Sequence, residues 1–469
     1  MKLPKAAILL LLPMLIACEN RLTDDPSARL TFSLDTLRFD TVFTNAGSST
    51  RTIIIRNENK RALQISRVRM QSGESFRINL DGEQKPDMLR DIVIGGGDSL
   101  FLFVRATIDP ADRDKPAFIE DRVIFELGEQ KQELVLEAYG WDVELIDSLY
   151  IGRDTTLLGR KPYLVRNGIY IDKGALLSIA PGCRFYMHDT AKVVCLGGIS
   201  ACGTLEEPVW FGSDRLDDIY EGIRYIYVGG KWNGIYLSEP DSVRLDYTEI
   251  VSGQIALYVY GSGKEHLSLS NCRIHNHSVY GLALLDVDAN VVNTEISNCA
   301  EYCVYASGGK HNFVHTTIAS FFNYTQYVIQ TTHRNDNVSP FFINNISKNR
   351  RKTEVRMYNS IIAGVKQNSL MLATPLGDYY SGEFAYSYLQ TDTLGQRFAH
   401  DNVYAQKRDT TLFVCDLYKD KEQYYDFRLD SLSPARDIAD SLIATRYPLD
   451  RLGKNRLEDG KPDAGCYEY

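Results

Sequence analysis

The chain lacks several features that accompany common activities. It has only 3 tryptophans, and after residue 17 it has no apolar run long enough to span a membrane. Its 52 Lys and Arg residues stand against 61 Asp and Glu residues, which gives a net charge of −9. Nucleic-acid-binding faces are usually basic. We therefore expect no nucleic-acid partner.

Motifs for metals and nucleotides are also missing. No CxxC pair stands beside histidines, so a structural zinc site is not indicated. The glycine run at 95–97 lacks the Gly-Lys-Ser/Thr ending of a phosphate loop and predicts a hairpin turn instead. The eight cysteines after residue 18 are expected to be small buried side chains, although disulfide pairing stays open. We expect no metal and no cofactor.

The N-terminus carries a targeting signal. Lys2 and Lys5 precede an apolar stretch over 6–16 that is too short to remain in a bilayer as a helix. The stretch ends in Leu15-Ile16-Ala17-Cys18, which resembles a bacterial lipobox. The resemblance implies a signal peptide over 1–17, lipidation of Cys18 and a tether over 18–29. It also implies attachment to the outer membrane of a Gram-negative envelope, either facing the periplasm or exposed at the surface.

Residues 30–141 alternate apolar and polar in short runs separated by turns. Seven runs read as strands, which predicts a β-sandwich; they are 37–40, 52–55, 63–65, 76–78, 100–104, 123–125 and 134–136. Phe39-Asp40, Arg56-Asn57 and the glycine turn resemble immunoglobulin-like modules of the abnormal-spindle and hydin type. The resemblance implies an Ig-like domain over 30–141.

A short pattern then returns about every 22 residues. Ile250, Ile274, Ile296 and Ile318 stand 24, 22 and 22 residues apart, and Ile362 follows 44 residues later. Leu257, Leu282, Val304 and Val328 keep a similar spacing. No intervening stretch looks helical, so the repeat predicts stacked β-coils. Whether the 44-residue interval holds two coils or one coil with a long loop stays open.

The opening of this region resembles a known superfold. Leu177-Ser178-Ile179-Ala180-Pro181-Gly182, then Gly203-Thr204 through Phe211, then Trp232-Asn233-Gly234-Ile235 resemble the first coils of secreted right-handed parallel β-helices of the pectate-lyase type. The resemblance implies an all-β chain with a right-handed parallel β-helix over 142–424. Residues 425–469, which end in Pro462-Asp463-Ala464-Gly465-Cys466-Tyr467-Glu468-Tyr469, resemble the closing segment of bacterial surface β-helix proteins. We expect them to cap an open end.

The repeat places charges in one column. Glu249, Arg273 and Glu295 hold the same position in three consecutive coils. One interpretation is a solvated charge ladder that eases strand stacking. The other is a catalytic site of a polysaccharide lyase or glycoside hydrolase, with calcium involved only in the lyase case. The chain lacks the glycine-histidine-glycine tripeptide of galacturonase-like hydrolases.

Aromatic residues cluster in predicted loops. The candidates for stacking on sugar rings are Phe322, Tyr324, Tyr379 and Tyr380. The same side chains would equally serve to cover the flank of the coils. Taken together, the sequence predicts a lipid-anchored, non-enzymatic envelope protein that binds a glycan or another envelope polymer. The alternatives are the lyase or hydrolase, and a structural or adhesive lipoprotein that binds proteins.

Overall fold

The structure is a computed structural model. It describes residues 21–44, 46–83, 89–110, 115–220, 223–321, 339–344, 346–347, 349–373, 380–392, 394, 399–416 and 425–469. The chain divides into two compact units, 1–143 and 144–469.

The first unit is a two-sheet β-sandwich. Its strands are β1 (Thr31–Phe32), β2 (Thr36–Phe43), β3 (Arg51–Arg56), β4 (Leu63–Met70), β5 (Phe76–Leu80), β6 (Arg90–Ile94), β7 (Ser99–Ala106), β8 (Ala117–Leu127) and β9 (Gln130–Trp141). One sheet has the order β1-β3-β7-β5 and the other β2-β9-β8-β4-β6. All seven predicted strands are present, and β1 and β6 are additional.

Alternation along each strand builds the core of the sandwich. On β3, Ile53 and Ile55 are fully buried, whereas Ile54 between them is half-buried. Successive side chains of a strand point to opposite faces, so this pattern buries one face of each sheet against the other. The core residues of the unit form one cluster that includes Phe76, Phe125 and Leu136.

The second unit is a parallel β-helix. Its strands are β10 (Glu144–Ile151), β11 (Thr155–Leu157), β12 (Tyr163–Ile171), β13 (Leu176–Ile179), β14 (Arg184–Met187), β15 (Lys192–Cys195), β16 (Gly198–Cys202), β17 (Val209–Ser213), β18 (Asp218–Tyr220), β19 (Ile223–Arg224), β20 (Gly234–Ser238), β21 (Ser242–Asp246), β22 (Thr248–Val251), β23 (Ile255–Tyr260), β24 (His266–Ser270), β25 (Arg273–His277), β26 (Tyr280–Leu285), β27 (Asp288–Val292), β28 (Glu295–Cys299), β29 (Tyr302–Ser307), β30 (Gly309–Val314), β31 (Thr317–Ser320), β32 (Phe341–Asn344), β33 (Thr353–Tyr358), β34 (Ile361–Gly364), β35 (Leu370–Leu372), β36 (Tyr380–Ala385), β37 (Tyr388–Leu389), β38 (Ala399–His400) and β39 (Val403–Tyr404).

Apart from β18 and β19, which form a separate antiparallel pair, these strands stack in three parallel columns. Stack I runs β15-β20-β23-β26-β29-β32-β35, and stack III runs β14-β17-β22-β25-β28-β31-β34-β37-β39. The long strands β10 and β12 pair with each other, and β12 pairs with the first strand of both stacks, so these two strands begin stack I as well as stack III. Stack II is the separate ten-stranded sheet from β11 to β38. A complete coil contributes one strand to each stack, so the side chains outside the core form three outward faces.

The isoleucine repeat sets the register of stack III. Ile250 pairs with Ile274, Ile274 with Ile296, and Ile296 with Ile318. Ile318 then pairs directly with Ile362, so the 44-residue interval is one coil with a long insertion. In stack I the partner of Val304 is Phe341, and the predicted partner Val328 lies outside the described residues. The prediction was wrong there because the insertion precedes the strand.

The turn before most strands of stack III uses a left-handed residue. Asn271, Asn293, His315 and Asn359 have φ values of 54°, 46°, 48° and 49°. Asparagine adopts this conformation more readily than most residues, because its short side chain bonds locally. The same holds at the end of the strands, where Asn276 and Asn298 have φ values of 59° and 50°.

The C-terminal part contains β40 (Phe413–Cys415), β41 (Asp426–Leu429) and the helix α1 (Ser441–Arg446). We call residues 425–469 the closing segment. We expected this segment to cap an open end of the coil stack, but it does not lie there. Its described residues pack along the flank of several coils, where Tyr425, Phe427 and Tyr467 form a cluster with Phe321 and Tyr388.

Candidate functional site

The predicted charge column has the expected register. On the outer face of stack III, Glu249 pairs with Arg273, and Arg273 pairs with Glu295. The three side chains differ in exposure: 26% for Glu249, 27% for Arg273 and 2% for Glu295. The column is therefore not a solvated ladder.

The closing segment covers this column and bonds to it. Arg451 Nη2 donates to Glu249 Oε1 at 2.7 Å, and its Nε donates to the carbonyl of Cys272 at 3.3 Å. The hydroxyl of Tyr467 donates to Glu295 Oε2 at 2.5 Å. Since each contact joins residues far apart in sequence, the column is the docking surface for the end of the chain.

Both carboxylate oxygens of Glu295 accept hydrogen bonds, two at Oε1 and one at Oε2. Its Oε1 accepts from Arg273 Nε at 3.3 Å and from Ser297 Oγ at 2.6 Å. Burial alone raises the pKa of this carboxyl, but the charge of Arg273 and the hydrogen bonds from Ser297 and Tyr467 outweigh burial and lower the pKa to about 2. The group is ionised at neutral pH and has no proton to give as a general acid.

A small cavity of about 240 Å³ remains between the column and the closing segment. At its wall Arg428 makes a bidentate ion pair with Asp426, with contacts from 2.5 Å. Arg451 is held by Glu249 and Arg273 by Glu295. The cations here are matched by carboxylates, which is the arrangement of a docked interface rather than of a site waiting for an acidic sugar.

Aromatic side chains form a second column, on the outer face of stack I. The outward residues pair coil by coil in the order Tyr150, Tyr170, Val194, Tyr236, Tyr258, Ala283, Tyr305, Phe342, Met371. Six of the nine positions are aromatic. Tyr280 and Tyr302, which pair with each other, add two rings beside Tyr305. We call these eight rings the aromatic column.

The rings of this column stack face to face or tilted. The centroids of Tyr150 and Tyr170 are 4.9 Å apart with planes at 14°, and those of Tyr302 and Phe342 are 4.9 Å apart at 21°. Tyr236 and Tyr258 are 6.2 Å apart. Tyr150 is 72% exposed and the other rings are half-buried. None belongs to the core cluster of the β-helix.

The aromatic column was missed from sequence, although a signal exists. Tyr236, Tyr258, Tyr280 and Tyr302 stand at intervals of 22 residues, which is the coil period. Of the predicted stacking residues, Phe322, Tyr324 and Tyr379 lie outside the described residues. Tyr380 was expected on the surface of a loop, but its side chain is 7% exposed and packs in the core.

The remaining predictions concern the membrane anchor, metal sites and cysteine pairing. Cys18 lies outside the described residues. No helix in the described part of the chain has the length and apolarity needed to cross a bilayer. Within the described ranges, no group of three His, Cys, Asp or Glu residues is placed to hold a metal ion. Seven of the cysteines after residue 18 are free thiols: Cys183, Cys195, Cys202, Cys272, Cys299, Cys303 and Cys466.

Comparisons with known proteins give no family. No family model matches the chain, and no curated protein matches it. Among solved structures, it is similar to a family 123 glycoside hydrolase from Clostridium perfringens, described for glycolipid glycan hydrolysis, at 9% identity and a TM-score of 0.18. The match covers 24% of this chain and 26% of that one. The chain thus spans about a quarter of that protein, and the likeness carries no argument about activity.

Proposed function

We propose that the protein is a lipid-anchored envelope protein whose β-helix binds a glycan along the aromatic column without cleaving it. The anchor is Cys18, and the location is the outer membrane, facing the periplasm or the surface. The proposal is carried by one observation, the row of outward aromatic side chains on stack I.

The chemistry of sugars fits this row. A pyranose ring has an apolar face of C–H groups, which packs favourably against aromatic rings. Where two rings of the row stack on each other, as Tyr302 and Phe342 do, the sugar would meet their edges and hydroxyls rather than the shared faces. Successive coils rise about 4.8 Å, so a linear polymer lying along the β-helix axis meets a new ring at almost every coil. Tyrosine also supplies a hydroxyl at the ring edge for hydrogen bonds with sugar hydroxyls.

The absence of cleavage is proposed from the state of the charge column. Glycoside hydrolysis needs one carboxylic acid to protonate the leaving oxygen and a second carboxylate as base or nucleophile. Glu295 is ionised and accepts hydrogen bonds at both oxygens, and Glu249 holds Arg451. Neither carboxylate is available for these roles while the closing segment is docked.

The test uses the purified full-length protein in mild detergent. It is run through native gels loaded with neutral and acidic polysaccharides, and the same glycans are incubated with it, with and without calcium. We expect retardation in at least one glycan and no new reducing or unsaturated ends. New ends would overturn the non-enzymatic part, and the absence of retardation in every glycan would overturn the binding part.

A pair of tyrosine variants maps the binding. Tyr150→Ala removes the most exposed ring of the column, and we expect about threefold to tenfold weaker binding from the loss of one stacking contact. Tyr139→Ala removes a ring that is 48% exposed on the β-sandwich, and binding should not change. Equal effects of the two variants would contradict binding at the aromatic column.

A further inference from the structure

The β-sandwich carries an arginine-lined groove that the proposed function does not use. Its volume is about 900 Å³, and it lies along β4, β5 and β7. Arg67, Arg69, Arg77 and Arg105 line it, and no Asp or Glu is among its described lining residues. Four cations in one groove stand out in a chain with a net charge of −9.

The partners of these arginines leave positive charge uncompensated. Arg69 Nε is paired with Glu126 at 3.2 Å. Among the described residues, the acceptors of Arg77 Nη1 are backbone carbonyls, those of Gly73, Glu74 and Phe76. Within the described part of the chain, Arg67 and Arg105 make no ion pair, and the buried Nε of Arg67 has no hydrogen-bond acceptor. Such a buried donor costs free energy until an acceptor meets it.

The register of the sheet adds a second cost. Arg77 on β5 lies directly opposite Arg105 on β7. Like charges in directly opposite positions of an antiparallel pair destabilise the sheet. A bound anion between the two guanidinium groups would offset this repulsion and supply the acceptors that Arg67 and Arg105 lack.

We propose that this groove binds a phosphate group. A guanidinium presents a planar fork of donors that matches phosphate oxygens in a bidentate manner. After the pairing of Arg69 with Glu126, three cations remain, and a phosphate monoester with up to two negative charges balances them better than a single carboxylate. Apolar side chains on the same wall, among them Met70 and Phe103, suit a ligand whose phosphate is attached to a carbon skeleton.

The test is calorimetric titration of the full-length protein at low salt. The probes are inorganic phosphate, glucose 6-phosphate as a phosphorylated sugar, and glycerol 1-phosphate as a lipid headgroup. We expect saturable binding of at least one probe, weakened by added salt because the site is partly open. The tighter of the two organic probes indicates whether the phosphate comes from a glycan or from a lipid.

Three variants separate the groove from general charge. Arg77→Gln and Arg105→Gln change exposed side chains, and each should weaken phosphate binding about tenfold through the loss of charge-assisted hydrogen bonds. Arg56→Gln removes an exposed arginine on β3 of the same sheet, outside the groove, and should leave binding unchanged. No binding of any probe, or equal binding by all variants, would overturn the proposal.

Discussion

The carboxylate of Glu295 is predicted to hold the closing segment on the β-helix, and Glu295→Gln tests this. The substitution keeps the shape of a side chain that is 2% exposed but removes its charge. Arg273 then loses its counter-ion, and the Tyr467 hydroxyl loses a charged acceptor. The closing segment should become less stably docked.

The size of the effect follows from the pKa of Glu295. The fall from the usual 4.5 to about 2 corresponds to about 3 kcal/mol in favour of the ionised folded state. The contribution is present above pH 4.5 and is lost as the pH falls towards 2, because a lowered folded pKa stabilises the charged form. We expect Glu295→Gln to cost about 3 kcal/mol at pH 7, in the range for removing one partner of a buried ion pair.

The assay is urea unfolding of the full-length protein, followed by fluorescence at pH 7 and at a series of pH values below 4.5. Glu383→Gln is the matched control, since Glu383 is 47% exposed and its nearest contact to Arg356 is 3.9 Å. That variant should cost less than about 1 kcal/mol. The reasoning is refuted if the two variants are equally stable at pH 7, or if the gap between wild type and Glu295→Gln does not narrow in acid.

Three further predictions concern stability. The β-helix should lose stability as the pH falls from 6.5 towards 4, because burial lowers the pKa of His277 and His311 to about 4. Each shift corresponds to about 3 kcal/mol of folding free energy that is present while the imidazole is neutral. Unfolding midpoints measured across this pH range check the prediction, and a flat profile would contradict it. Ile296→Ala should lower the free energy of unfolding by about 2–5 kcal/mol and Ile296→Val by about 0.5–1.5 kcal/mol, because the side chain is fully buried in the isoleucine stack. Thermal or urea unfolding measures both losses, and equal losses would mean that the site is not tightly packed. Gly465→Ala should speed proteolysis of the closing segment, because a Cβ there would lie 2.7 Å from Ile361 Cδ1. Gly460→Ala is the control: this glycine also has a positive φ, but a Cβ there would meet no atom within 4 Å, so the effect should be smaller. A larger effect of Gly460→Ala would refute the docked position of the closing segment.

The periodic part of the fold was predictable from sequence. A parallel stack places equivalent residues of successive coils above one another, so the spacing of Ile274 and Ile296 also fixes the register of Arg273 and Glu295. The same logic reaches two tyrosine pairs, Tyr236 with Tyr258 and Tyr280 with Tyr302. It misses the step between them, because Tyr258 pairs with Ala283 and not with Tyr280. The spacing fails as a guide where an insertion lengthens a coil, as between Val304 and its partner Phe341.

The covering of the charge column could not be predicted in this way. Arg451 meets Glu249 across 202 residues, and Tyr467 meets Glu295 across 172 residues. No period relates these positions, and the closing segment has no repeat of its own. Its place on the flank depends on side-chain complementarity in three dimensions, which the spacing of residues does not encode.

The most direct test of the account asks which column the glycan contacts. The measurement is retardation of two variants in the glycan that binds the wild type: Tyr236→Ala/Tyr258→Ala on the aromatic column and Arg273→Gln on the charge column, both first shown to be folded. The account predicts that the double tyrosine variant loses retardation and that Arg273→Gln keeps it. Loss of retardation in Arg273→Gln, with binding intact in the tyrosine variant, would contradict it.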